Sequence, residues 1–286
     1  MEEVLKYSLR PFPSSLATSE GDLVKTAKSK LLHKIEEDVP PVPGACVDLP
    51  AVENKACILD AMAVLQTLIV IQATFGKLAT NLLTKVVNAA IFSKCKRVDF
   101  VGDRYPRQSI KNRERVRRAM SGVQVIRIFS EQQNVPRQWK KFMSSGDNKE
   151  ELMKFIFSTW RKADPQLLKG VEVFLAHEEI CHRFFYSNGE MMCSEIGELY
   201  CDHEEADTMH TSLEYRTIII KSPDTDVLLI ALNACVGTDA DIMFETGVGT
   251  GGRNISVTKI RHCLGDQWCC SLIDLHAITD LLFCSI

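Results

Sequence analysis

Ile218-Ile219-Ile220-Lys221-Ser222-Pro223-Asp224-Thr225-Asp226 is a β-branched run that breaks at Ser-Pro and ends in two carboxylates. Such a run reads as a central strand leaving a sheet. Asp224 and Asp226 then fall in the loop at the strand's carboxyl end, where open α/β sheets place their sites. Working outward, three further acidic signals stand at comparable junctions. They are Asp60 after Ala56-Cys57-Ile58-Leu59, Asp103 after Val98-Asp99-Phe100-Val101-Gly102, and Glu204-Glu205-Ala206-Asp207. Carboxylates gathered from several strand ends repel one another unless a cation joins them, so the pattern points to divalent-metal chemistry.

The rest of the chain supplies the frame. A strand at residues 56–59 precedes an apolar helix at 61–75 and a second helix near 77–92. Residues 97–101 read as a strand, 107–119 as a basic helix, and 171–175 and 216–221 as further strands. Between them, Leu152, Phe155, Ile156 and Trp160 recur at helical spacing and mark an amphipathic helix over 148–160. This alternation predicts a three-layer α/β/α domain with a mostly parallel central sheet. Residues 1–45 hold Pro11-Phe12-Pro13 and Pro40-Pro41-Val42-Pro43 and read as a flexible arm with a short helix near 27–37, leaving 46–286 as the globular domain.

Composition bounds the function classes. The 286 residues are 45% hydrophobic and 25% charged with a formal net charge of −3, which excludes a protein that is basic overall. Eleven cysteines lack regular spacing and no secretory leader is visible, so reduced thiols in an intracellular protein, nuclear or cytoplasmic, are expected. The apolar stretch 58–75 carries Asp60, Gln66, Thr67, Gln72 and Thr74, and is expected to be a buried helix after a short strand rather than a membrane span.

Hydrolysing a phosphodiester requires an activated water, a stabilised leaving oxygen and neutralised charge, and two magnesium-like ions about 3.5–4 Å apart supply all three. Such ions take oxygen ligands. Asp224 and Asp226 sit two residues apart beyond one strand, Glu205 and Asp207 repeat that spacing, and Asp60 and Asp103 join from neighbouring strands. Glu204 competes with Glu205 as the ligand. The plainer interpretation is that Asp224 caps the following helix with Thr225 and Asp226 in its first turn.

These blocks carry a resemblance. Cys57-Ile58-Leu59-Asp60-Ala61-Met62-Ala63-Val64-Leu65-Gln66 resembles the first motif of flap-endonuclease-type and PIN-like nucleases. Asp99-Phe100-Val101-Gly102-Asp103-Arg104-Tyr105-Pro106 with Lys111 resembles their second motif. Glu205-Ala206-Asp207 and Asp224-Thr225-Asp226 look like the two later acidic pairs. The chain is more closely similar to uncharacterised, transposable-element-associated animal proteins, through Asp103-Arg104-Tyr105 with Ser109-Ile110-Lys111, His203–Thr208 and Ser222–Leu228. The resemblance covers roughly residues 46–280 and implies a magnesium- or manganese-dependent nuclease acting on DNA or RNA. It assigns Asp60, Asp103, Glu205, Asp207, Asp224 and Asp226 to a two-ion centre.

The chain departs from that group in two places. Gly102 stands where the group carries phenylalanine, and His276-Ala277-Ile278-Thr279-Asp280 replaces a Gly-Cys-Asp ending. A truncated or decayed copy, with an inert nucleic-acid- or protein-binding role, is therefore the alternative expectation.

Residues 94–118 hold ten Lys or Arg against three acidic residues. Such a segment attracts phosphate backbones through counterion release. Arg107, Lys111, Arg115 and Arg118 recur at three- or four-residue intervals as one face, beside Arg113 and Arg117; a merely solvated face is the alternative. Gly247-Val248-Gly249-Thr250-Gly251-Gly252 satisfies a dinucleotide fingerprint by letter, yet the strand-like Asn254-Ile255-Ser256-Val257 after it favours a hairpin. Cys181, His182, Cys193, Cys201, His203 and His210 raise a weaker zinc alternative without recognised spacing. Trp139, Trp160 and Trp268 are expected in the core or packed against helices, and His276 as a core histidine in a terminal turn.

Overall fold

The structure, a computed structural model, describes residues 28–37, 54–103, 123–199, 215–247 and 252–274. Eight strands form one sheet in the order β5-β4-β3-β2-β1-β6-β7-β8. The strands are β1 (Lys55–Asp60), β2 (Arg97–Val101), β3 (Glu172–His177), β4 (Ile180–Ser187), β5 (Glu190–Glu195), β6 (Thr217–Lys221), β7 (Asp241–Thr246) and β8 (Arg253–Ser256). The five central strands, β3-β2-β1-β6-β7, run parallel. An antiparallel hairpin, β4–β5, extends one edge, and antiparallel β8 closes the other.

Successive side chains of the central strands point to opposite faces, and each face feeds its own apolar cluster. Cys57 and Leu59 of β1, Val98 and Phe100 of β2, and Val173 and Leu175 of β3 join one cluster. That cluster also receives Leu78, Leu82, Leu83 and Val86 from the Phe75–Phe92 helix and Leu152, Met153, Ile156 and Trp160 from the Gly146–Trp160 helix. Ile58, Ile218, Ile220, Ile242 and Phe244 point the other way. They meet Val227, Leu228 and Leu232 of the Thr225–Ala234 helix and Ile260 of the Val257–Leu264 helix. Near-continuous apolar strands such as β1 and β6 follow from cover on both faces. Right-handed crossovers explain the split, because β1-to-β2-to-β3 steps one way across the sheet and β6-to-β7 steps the other.

Two indoles pin the helices to fixed places. Trp160 is fully buried and its Nε1–H donates to Ala79 O at 2.9 Å; Trp139 Nε1–H donates to Leu65 O at 2.9 Å. Trp268, expected in the core or packed against a helix, is 66% exposed. Leu32 and Ile35 of the Lys28–Glu37 helix are buried in the second cluster, so this part of the expected arm docks on the domain. The remaining arm residues lie outside the described set.

The apolar helix expected over 61–75 is shorter. It spans Ala61–Gln66 and stops at Thr67, whose hydroxyl turns back to Ala63 O at 2.7 Å. Ile69 is 97% exposed in the loop that follows, and Thr74 caps the next helix by accepting from Lys77 N. Side-chain-to-backbone bonding of this kind competes with helix continuation. Among the described residues, no helix is long and apolar enough to cross a membrane.

Candidate carboxylate site at the strand switch point

The parallel strands reverse their order between β1 and β6, and both end at the same edge of the sheet. A crevice opens at such a reversal because the loops on either side depart toward opposite faces. Asp60 is the last residue of β1, and Asp224 follows β6 by three positions. On the other side of β1, Gly102 N–H donates to Ala176 O at 2.9 Å and carries the β2 pairing one step further before Asp103 leaves the sheet.

Two of the carboxylates, Asp60 and Asp224, are held by local backbone. Asp60 Oδ1 accepts from Ala63 N at 2.9 Å and caps the Ala61–Gln66 helix. Asp224 Oδ1 accepts from Asp226 N at 3.0 Å and caps the Thr225–Ala234 helix. The capping interpretation of Asp224 is therefore correct, and Asp60 shares it. Capping occupies one oxygen and leaves the other available for a second contact.

That second contact joins the two strands. Ser222 Oγ donates to Asp60 Oδ2 at 3.4 Å, and Asp224 N–H donates to Ser222 Oγ at 3.1 Å. Ser222 is buried. Burial raises the Asp60 carboxyl above its ordinary range, backbone amides at Ala63 and Met62 oppose the shift, and the charges of Asp103 and Asp224 add to it. The like charges that reach Asp60 thus come from the segments just after β2 and β6. Asp226 is buried in the first turn of its helix.

Glu204, Glu205 and Asp207 lie outside the described residues, as do Arg107, Lys111, Arg115 and Arg118 of the basic segment. Among the described residues, no group of three or more His, Cys, Asp or Glu side chains is close enough together to hold a metal ion. Cys201, His203 and His210 are likewise outside, together with His276 and Asp280. Cys181 and His182 are adjacent on β4 and project to opposite faces of the sheet. Burial pushes the Cys181 thiol up to about 12, so it stays protonated at neutral pH. The glycine-rich segment joins antiparallel β7 to β8, as expected of a hairpin, with residues 248–251 outside the described set.

Sequence reasoning overlooked Ser222 as a member of the site. Its signal was present: a serine two residues before an aspartate at a strand end forms a side-chain-to-backbone turn. No family model matches the chain, and neither a curated protein nor a solved structure matches it.

Proposed function

We propose that the chain is a divalent-metal-dependent phosphodiesterase acting on nucleic acid, built on a three-layer fold of the PIN or flap-endonuclease type. The observation that carries this reading is the placement of Asp60 and Asp224 at the carboxyl ends of the adjacent parallel strands β1 and β6, the switch point of the sheet, where a metal centre would need the carboxylates outside the described residues to complete it. An all-oxygen donor set of this sort suits magnesium or manganese rather than zinc. Asp60, Asp103, Asp224 and Asp226 would hold the ions with Glu205, or Glu204, and Asp207. When bound, the ions supply an activated water and offset charge at the scissile phosphate.

The chain's own residues then have defined tasks. Asp60 and Asp224 present oxygens from two strands whose relative position is set by the β1–β6 pairing. Their capping bonds fix each side chain, so little reorganisation accompanies ion binding. Arg107, Lys111, Arg115 and Arg118 would grip the phosphate backbone. A second reading, an inert nucleic-acid-binding module on the same fold, is favoured by those same caps, which already give Asp60 and Asp224 structural work.

Cleavage of labelled single-stranded, duplex and flapped DNA and of RNA, with magnesium or manganese, decides between them. We expect metal-dependent cutting that falls by roughly 10²-fold or more in Asp224→Asn/Asp226→Asn. Absence of cutting, with salt-sensitive binding lost in Lys111→Ala/Arg115→Ala/Arg118→Ala, would establish the inert module instead.

A further inference from the structure

We infer that Ser222 is a positioning residue that couples the β1 carboxylate to the β6 loop. The inference rests on the metal-dependent reading only for its consequence in activity; the coupling itself stands on geometry. A serine hydroxyl has one proton and two acceptor positions. Here the Asp224 amide fills an acceptor position, so the hydroxyl proton is directed at Asp60 Oδ2. Asp60 is thereby gripped at both oxygens, Oδ1 by the Ala63 amide and Oδ2 by Ser222.

The connection is directional as well as structural. A shift of Asp60 pulls on Ser222 Oγ, and the Asp224 amide that donates to the same oxygen follows. Asp224 Oδ1 in turn holds the Asp226 amide, so the chain of bonds runs from the end of β1 to the first turn of the Thr225–Ala234 helix. Ser222 is 3% exposed, so water does not substitute for either partner. An alanine there deletes both bonds, whereas threonine retains the hydroxyl. Outer hydrogen-bond partners of this kind orient ligating carboxylates.

The test compares wild type, Ser222→Ala, Ser222→Thr, Asp60→Asn and Ser222→Ala/Asp60→Asn as full chains, with unfolding midpoints to show that each is folded. Hydrogen exchange of the Asp224 amide in metal-free protein reads the coupling. Asp60→Asn should change that exchange rate in wild type and leave it unchanged once Ser222 is alanine, a non-additive cycle. Manganese binding, followed by electron paramagnetic resonance, should weaken about tenfold in Ser222→Ala and recover in Ser222→Thr. Additive effects of Ser222→Ala and Asp60→Asn on the Asp224 amide overturn the inference, whatever the metal result. A coupled amide in a protein whose wild type binds no manganese sustains the inference and sinks the metal-dependent function.

Discussion

Asp99 and Asp60 lie on neighbouring central strands, both have carboxyls raised by burial, and they meet opposite company. Asp99 sits inside β2, where Arg97 donates to its two oxygens at 2.6 and 2.8 Å. The guanidinium lies 3.8 Å from the Phe174 ring centroid and 5.3 Å from that of Tyr215, which completes a shielded pair. Arg97 opposes the shift that burial imposes on Asp99. Asp60, at the end of β1, has amide and hydroxyl donors, and the charges that reach it from Asp103 and Asp224 are like its own. One carboxylate is neutralised within its own strand; the other meets like charge at the carboxyl end of a central strand. That difference, rather than burial alone, separates a structural aspartate from a candidate ligand.

The comparison breaks most visibly at Arg97. Arg97→Met leaves Asp99 buried without its partner and should cost about 3–5 kcal/mol in denaturant unfolding at neutral pH. Arg97→Met/Asp99→Leu should recover most of that loss, because the buried charge goes with it. A double variant as unstable as the single one would show that the pair contributes more than mutual neutralisation.

A smaller effect is expected three residues after Asp99, just past the end of β2. A Cβ on Gly102 would lie 2.9 Å from Met153 Cε and 3.4 Å from Ala176 O. Gly102→Phe should therefore cost about 1–3 kcal/mol by overpacking, and Met153→Ala should relieve part of it. Equal costs with and without Met153 would place the strain elsewhere.

The smallest effect has the opposite sign. Asparagine caps a helix as well as aspartate does, so Asp60→Asn keeps the local bond while removing charge. Because the folded Asp60 carboxyl is raised, the native state holds a proton between the unfolded value near ~3.9 and its own higher value. Asp60's contribution is thus intact at acid pH and falls as pH rises through that window. In chelator-treated protein, Asp60→Asn should be as stable as wild type or up to about 1 kcal/mol more so at pH 7, with the gap closing on acidification. A gap that widens on acidification would mean that the charge is stabilised where it stands.

Much of this contrast is legible in the chain itself. Residues 97–101 form the expected strand, and the helix expected over 148–160 spans Gly146–Trp160. Asp60 and Asp224 could be placed at or just past strand ends because the apolar runs 56–59 and 218–220 stop shortly before them. The adjacency of β1 and β6 is set by tertiary pairing between segments far apart in the chain, which local pattern does not encode. The β4–β5 hairpin was missed although Asn188-Gly189 announces it. Both residues adopt positive φ, 50° and 87°, as a two-residue hairpin turn requires. The glycine-rich hairpin implies a strand on each side, yet β7 itself carries little local signal, because only Ile242 and Phe244 of Asp241–Thr246 are buried.

The Ser222–Asp60 contact spans 162 positions of sequence. Its formation has to await closure of a long loop, whereas the pairing of β4 with β5 and the helices on either side can form within neighbouring chain. The like charges of Asp60 and Asp224 therefore come together only when that loop closes. The electrostatic cost falls on the finished molecule and spares its precursors, so substitutions at Asp60 should alter the unfolding rate more than the folding rate.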